Sequence, residues 1–530
     1  MQYTIAGISA SQNAAKLVEQ EEAYRNKEIS EEKLLETAWQ LFEQQTDWLA
    51  EAGVSYIPAD FSLYDPAADL CFRIGALPES LKADSRSSLA QYFALSEGFH
   101  DEKRQWHEGL EKIRQVGLPF TLSAANFAHD MKLAFQREVI WPDFLAQEKT
   151  GLSLRPIVPG PYSLLRLASF EGARQDYLPD FLQAYADLLK EAEKSGAQWL
   201  TFDEPELGSF ISKEELQRLN QLYRPLLKAR GSLKIMVQTC TENLAEEIYQ
   251  ALRRLPFAGY GLNFTGTGNL RLLEKQGFPK TKTLFAGVVD GRNVWRTSYS
   301  AALETIGRLK EITSHLVLNT TFSLQYVPWS VEAETGLPKY VRDQLAFAKE
   351  KIEELAELAR LAELEDPTAD PAYRKNRTMR IRRPRQGELS ALQRLDLDEM
   401  FEETDESRLA DYETIREHLE NMQSEPEEQI AEDAPYGGAN LFSQLKNVYA
   451  LKKNPIRVQG MHTAVPVLFW EVPDFKQRPK ASDTESLLRL YHTLRYSYAL
   501  PQVSLRELDE QLLRLGIRAL NADYYAFEGD

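Results

Sequence analysis

Two cysteines, Cys71 and Cys240, are all the thiol chemistry that 530 residues offer. A disulfide framework cannot be built from so few, and the scarcity suits a reducing, cytoplasmic compartment. A thiolate-rich zinc site is excluded too, unless His, Asp or Glu complete it. The seven histidines never fall at HxH, HxxxH or HExxH spacing, so the usual sequence clustering of metal ligands is missing. No apolar run approaches the ~18 residues of a membrane span. The opening "MQYTIAGISASQNAAKL" has neither a basic leader nor a long apolar stretch, so no secretion signal is expected. GxGxxG, P-loop and GxSxG patterns are lacking, which leaves nucleotide-binding and serine-hydrolase readings unsupported. Positive charge is in deficit: 62 Lys and Arg face 80 Asp and Glu, a net charge of −18. That balance argues against a general nucleic-acid binder.

What is present is a regular alternation. Short apolar runs occur at 54–62, 154–161, 197–205, 233–239, 258–266, 283–291 and 315–323. Amphipathic stretches at 180–196, 212–231, 242–255 and 298–312 separate the later ones, and 340–364 would close the region. Continuous apolar strands spaced by helices of this length indicate parallel β/α units buried on both faces. Seven or so such units predict a (β/α)8 TIM barrel over residues 1–365.

The chain then changes character. "RKNRTMRIRRPR" (374–385) is strongly basic and 396–433 strongly acidic. Such blocks read as a solvated, charged linker over 366–438, the basic run pairing with the acidic one. Residues 439–530 regain apolar and aromatic content, as in "VPVLFWEVPDF", and are expected to form a small α+β C-terminal unit.

In a barrel, polar residues just beyond a strand face the active-site end. Four such places stand out: Asp60, Tyr64 and Asp65; Asp203 and Glu204; Asp290, Arg292 and Asn293; and "NTTFSLQY" with Asn319, Thr321, Ser323 and Gln325. Carboxylates converging at one mouth can act as acid and base or hold a cation or amine. Each alone can equally cap the next turn or helix. The first three groups form the candidate mouth-binding set; no catalytic residue and no metal ligand is assigned.

Collinear blocks add a family resemblance. "YRNKEISEEKLLETA", "EAGVSYIPADFSLYD", "PIVPGPYSLL", "GAQWLTFDEPEL", "LFAGVVDGRNVWR", "SLQYVPWSV" and "LAFAKEKIEEL" occur in order over residues 3–365. Together they resemble the N-terminal half of cobalamin-independent methionine synthase, GVVDGRN and DEP being the sharpest. The resemblance implies two face-to-face barrels and methyl transfer from methyl-tetrahydrofolate polyglutamate to homocysteine. It also implies a zinc centre of His, Cys, Glu and Cys in the other, C-terminal barrel. This sequence departs from the pattern where the family's folate-tail motifs would stand. It reads "ISASQNAAKLV" there, with Ser9, Ala10, Ala15, Lys16, Leu17 and Val18. "LAFQREVIWPDF" (133–144) and Asn263 are further departures. Fewer Arg and Lys contacts to carboxylates weaken polyglutamate binding.

The expectation is a methionine-synthase-related protein of one-carbon metabolism without its own zinc centre, dependent on a separate zinc-bearing methyltransferase barrel. Folate stays open as a ligand, zinc on this chain is not expected, and neither nucleic acid nor membrane is an expected partner. Two other readings stand beside it: a repurposed barrel enzyme acting on another small molecule through its mouth carboxylates, and a non-catalytic binding or scaffold protein using 366–530 as an arm.

Overall fold

The apolar runs become strands because each can bury both of its faces. The computed structural model describes residues 1–381 apart from 10–13, 64–65, 83–86, 101–105, 115–120, 130, 138–149, 209–211, 240–242, 292–295, 328, 334–342 and 344. The main strands are β1 (Ile57–Ala59), β2 (Leu154–Pro159), β3 (Trp199–Asp203), β4 (Lys234–Gln238), β5 (Gly259–Asn263), β6 (Thr283–Val289) and β7 (Leu316–Thr320). They pair in that order, all parallel, as one curled sheet of seven strands. All seven expected runs are present.

The helices that follow them are amphipathic, and their ends carry recognisable signals. They are α1 (Pro161–Leu167), α2 (Arg174–Lys194), α3 (Lys213–Ala229), α4 (Glu246–Arg253), α5 (Gly268–Gln276), α6 (Tyr299–Ile312) and α7 (Ala348–Leu361). In α2 the buried residues Tyr177, Phe181, Ala184, Tyr185, Leu188 and Ala192 recur at three- and four-residue steps, one stripe against the sheet. Helix α3 starts at a capping box: the Ser212 hydroxyl accepts from the Glu215 amide, and the Glu215 carboxylate accepts from the Ser212 amide.

The interior of the sheet is layered. Near the strand N-termini, Trp199, Met236, Phe285 and Val317 form a buried cluster with Tyr56 against it. The rings of Tyr56, Trp199 and Phe285 meet edge to face at 5.2–5.9 Å between centroids. Gly259 stands where a Cβ would lie 2.8 Å from the Phe285 ring, so only glycine lets β5 pass this cluster. One layer higher the interior turns polar. The fully buried Arg155 of β2 donates to Thr201 Oγ1 on β3 (2.5 Å) and to the Ile5 carbonyl (2.5 Å).

Three features were not read from the sequence. Residues 2–4 bond on both sides: Thr4 N–H donates to the Leu318 carbonyl and Leu318 N–H to that of Gln2, while Ser55 N–H donates to the Tyr3 carbonyl. Two small antiparallel ladders, Gly98–His100 with Trp106–Glu108 and Lys112–Arg114 with Thr121–Ser123, occupy a region given no elements. At the head of the expected linker, Pro371–Ile381 is helix α8. Its Asn376 is buried, donates to the Thr297 carbonyl (2.9 Å) and accepts from the Tyr299 amide (3.2 Å) at the start of α6.

Residues 1–293, 297–329 and 346–377 group as one compact unit, and 294–296, 330–345 and 378–530 as another. In the second, the described residues include a turn at Val331–Ala333 and Arg296, which donates to the carbonyls of Asp343 and Leu345 (both 3.0 Å). Residues 382–438 of the expected linker and the expected C-terminal unit (439–530) lie outside the described residues.

Replacing Trp199 by Ala removes the centre of the aromatic layer. The expected loss is about 3–5 kcal/mol in urea unfolding, and a loss below about 1 kcal/mol would contradict the layer's structural role.

Candidate functional site

The polar ends of the strands meet in register. Pro159 pairs with Asp203 and Asp203 with Gln238, so the last residues of β2, β3 and β4 lie side by side, while Asn263 at the end of β5 pairs with Gly287 within β6. Asp60 directly follows β1. Its Oδ2 accepts from the amides of Ile8 (2.7 Å) and Ser9 (3.0 Å). Its Oδ1 is shut off from solvent and has no hydrogen-bond partner among the described residues. Burial raises the Asp60 pKa above its ordinary value, against the opposing pull of the two amides and of Arg155. Burial likewise pushes the Arg155 guanidinium down to about 10, while Asp60 and Asp203 hold it charged. Asp203 ends β3 and accepts from Gln238 Nε2 at 3.3 Å. The other amide atom of Gln238, Oε1, is buried with no partner among the described residues, as is Nε of Arg155.

Glu204, one residue on, turns the other way, as the two-residue period of a strand demands. It is fully buried. Its Oε1 accepts from the Tyr162 amide (3.0 Å) and the Tyr223 hydroxyl, its Oε2 from the Ser163 amide (2.7 Å). The carboxylate thus satisfies the amides at the start of α1, which no earlier turn can reach. Gly160 is required here: a Cβ on it would lie 1.9 Å from the Glu204 carboxyl carbon. Burial raises the Glu204 pKa to about 7, and the hydrogen bonds from Ser163, Tyr223 and Tyr162 only partly offset this. Around it Arg166 binds Glu206 (3.1 Å) and Glu215 (2.8 Å), locking α1, the turn Pro205–Gly208 and α3 together.

The remaining candidates sit further round the sheet. Asp290 follows β6, and its Oδ1 accepts from the Thr321 hydroxyl at 3.1 Å; the same hydroxyl accepts from the Gly291 amide. Asn263 folds back on its own turn, accepting from the Thr265 amide (2.9 Å) and hydroxyl (2.7 Å). Asn319 accepts from the next amide, and Ser323 caps the turn Leu324–Tyr326. Tyr64, Asp65, Arg292 and Asn293 lie outside the described residues. Arg155 and Gln238 were missed in the sequence, although an arginine inside "LRPIVP" was a signal for a buried polar contact.

Among the described residues no group of three His, Cys, Asp or Glu side chains could hold a metal ion, and Cys71 is buried. Cys240 lies outside the described residues.

Residues 14–314 match the family model described as "Cobalamin-independent synthase, N-terminal domain". The chain belongs to that family. Similar members of the cobalamin-independent synthase family include the 5-methyltetrahydropteroyltriglutamate–homocysteine methyltransferase of Lactococcus lactis subsp. lactis (strain IL1403). It is 36 % identical over 339 residues, covering 63 % of this chain and 44 % of that enzyme. The enzyme of the same name from Streptococcus gordonii is 31 % identical over 358 residues, covering 67 % of this chain and 47 % of the enzyme. The chain therefore spans less than half the length of these curated relatives. A B12-independent methionine synthase structure from Shewanella sp. W3-18-1 aligns with 63 % of this chain and 90 % of its own, at TM-score 0.44 and 13 % identity.

Glu204 gives this family member a readable pH signature. With the folded pKa above its ordinary 4.5, the folded state binds more protons between about 4.5 and 7, so stability falls as pH rises through that window. Subtracting the melting curve of Glu204→Gln from that of the parent should isolate this slope; parallel curves would show that Glu204 stays ionised throughout. Gly160→Ala should destabilise by about 1–3 kcal/mol through overpacking against the same carboxylate.

Proposed function

We propose that this chain acts in methionine synthesis as the non-zinc barrel of a cobalamin-independent methionine synthase system. A separate zinc-bearing barrel activates homocysteine, and the two together carry the methyl group from a methyl-tetrahydrofolate to sulfur. The observation that carries this reading is the family match over residues 14–314, against relatives named for that methyl transfer. The donor set supports the division of labour. Two cysteines in the sequence, one of them buried at Cys71, leave zinc and its thiolates to the partner.

The barrel in this reading is a closed (β/α)8 one over residues 1–365. Residues 2–4 act as the eighth strand, which their bonds to Leu318 on one side and Ser55 on the other support. Residues 366–438 serve as the charged segment and 439–530 as a further unit that reaches the partner. The setting is cytoplasmic. In the mouth of the barrel, Asp60, Asp203 and Asp290 present carboxylates while Glu204 holds the wall behind them.

The test is purification of the full chain from its native cells, with metal analysis and a methyl-transfer assay. A zinc-bearing companion should co-purify, and transfer from methyl-tetrahydrofolate to homocysteine should need both proteins. Stoichiometric zinc on the isolated chain, or full activity without a companion, would overturn the proposal.

A further inference from the structure

Helix α6 begins without a cap of its own. The N-cap residue Ser298 makes no side-chain bond to the first turn, and its hydroxyl lies against that of Ser300 at 3.1 Å. The cap comes from 77 residues further along the chain. Asn376 of α8 accepts from the Tyr299 amide (3.2 Å) and donates to the Thr297 carbonyl (2.9 Å), bracketing Ser298. Helix α7 holds the same turn as well. Glu354, which is buried, accepts from the Thr297 amide through both oxygens (3.1 and 3.2 Å), and Glu357 accepts from the Tyr299 hydroxyl.

Residues 371–377 belong to the compact unit that contains the sheet, yet their docking is polar and shallow. Among the described side chains of α8 Asn376 is the one that is buried; Arg374, Lys375 and Arg377 are exposed, and Ala372 and Tyr373 are half-buried. Helix α2, by contrast, buries a whole apolar stripe. At the start of α8, Asp370 accepts from the Ala372 amide (2.9 Å) and pairs with Arg360 of α7 through both oxygens (2.7 and 2.8 Å). Arg360 is half-exposed, and an exposed ion pair adds little to stability. Eleven residues also fall short of the about 12–15 that a helix needs to hold alone in water. Such an element opens ahead of the rest of a fold.

We propose that α8 is a releasable strap over the start of α6. Docked, it supplies the cap at residues 297–299; lifted, it leaves that turn uncapped while the sheet and α2 stay folded. The connection out of β6 is tied at both ends, Asp290 and Gly291 to Thr321 at the first, Thr297 and Tyr299 to α7 and α8 at the second. Lifting the strap weakens the second tie only. The inference goes beyond the methionine-synthase reading and does not depend on it.

Hydrogen exchange of the full chain, read by mass spectrometry of its peptides, tests the strap. Asn376→Ala removes the cap directly and should speed exchange over 297–303 by about fivefold or more, the worth of a lost N-cap. Asp370→Ala decides the matter, because that side chain bonds to Arg360 and Ala372 and not to α6. It should speed exchange over 297–303 by about threefold or more through α8 alone, with 174–194 and 234–238 unchanged in both variants. Asp370→Asn keeps an acceptor for the Ala372 amide and loses the charge; it should act in the same direction more weakly, and serves if Asp370→Ala does not fold. Unchanged exchange over 297–303 in the Asp370 variants would show α6 to be held independently of α8 and overturn the proposal. An equal rise over 174–194 would overturn it too, since the unit would then open as a whole. Partner capture and methyl transfer are separate measurements, so either reading can fail while the other stands.

Discussion

A guanidinium inside the sheet organises much of what surrounds it. Arg155 reaches from β2 to Thr201 on β3 and to the carbonyl of Ile5, so one side chain ties three separate parts of the chain across the interior. A cation can stay there only because carboxylates stand close by, and Asp60 and Asp203 are those carboxylates. Their places at the ends of β1 and β3 are therefore fixed twice, once by backbone register and once by charge. Below this layer the interior is aromatic; above it β3, β4, β5 and β7 end on the polar residues Asp203, Gln238, Asn263 and Thr320.

The strands were legible because burial on both faces leaves an unmistakable mark. "LFAGVV" has no polar face to confuse the reading, and the same holds for "GYGLN" between its flanking turns. The segment 2–4 escaped because a few residues at the start of a chain carry no period, and its partners are hundreds of residues away. The small ladders at 98–123 escaped for the opposite reason: they are short and bond only to each other. Helix α8 was hidden by its charge. "RKNRTMR" looks like a solvated run, and nothing in composition reveals that Asn376 in its midst is bonded at both ends of its amide.

At the strand ends the sequence located places better than roles. Asp203 and Glu204 looked like a pair of carboxylates with one purpose, yet adjacent residues on a strand face opposite ways. Asp203 meets Gln238 beside it on β4, and Glu204 backs into the start of α1 under Gly160. Asp290 was placed correctly beyond its strand, but its link to Thr321 depends on the pairing of β6 with β7, which sequence spacing does not specify. Arg155 and Gln238 were overlooked because each is a lone polar residue in an otherwise apolar run. Their importance comes from what four strands do together.

The edge-to-face trio of Tyr56, Trp199 and Phe285 fills the opposite end of the sheet interior. The three rings come from the residue before β1, from β3 and from β6, strands that are not neighbours in the sheet. A change in any one ring is therefore felt by strands that share no backbone hydrogen bond, and this end of the sheet yields as a unit.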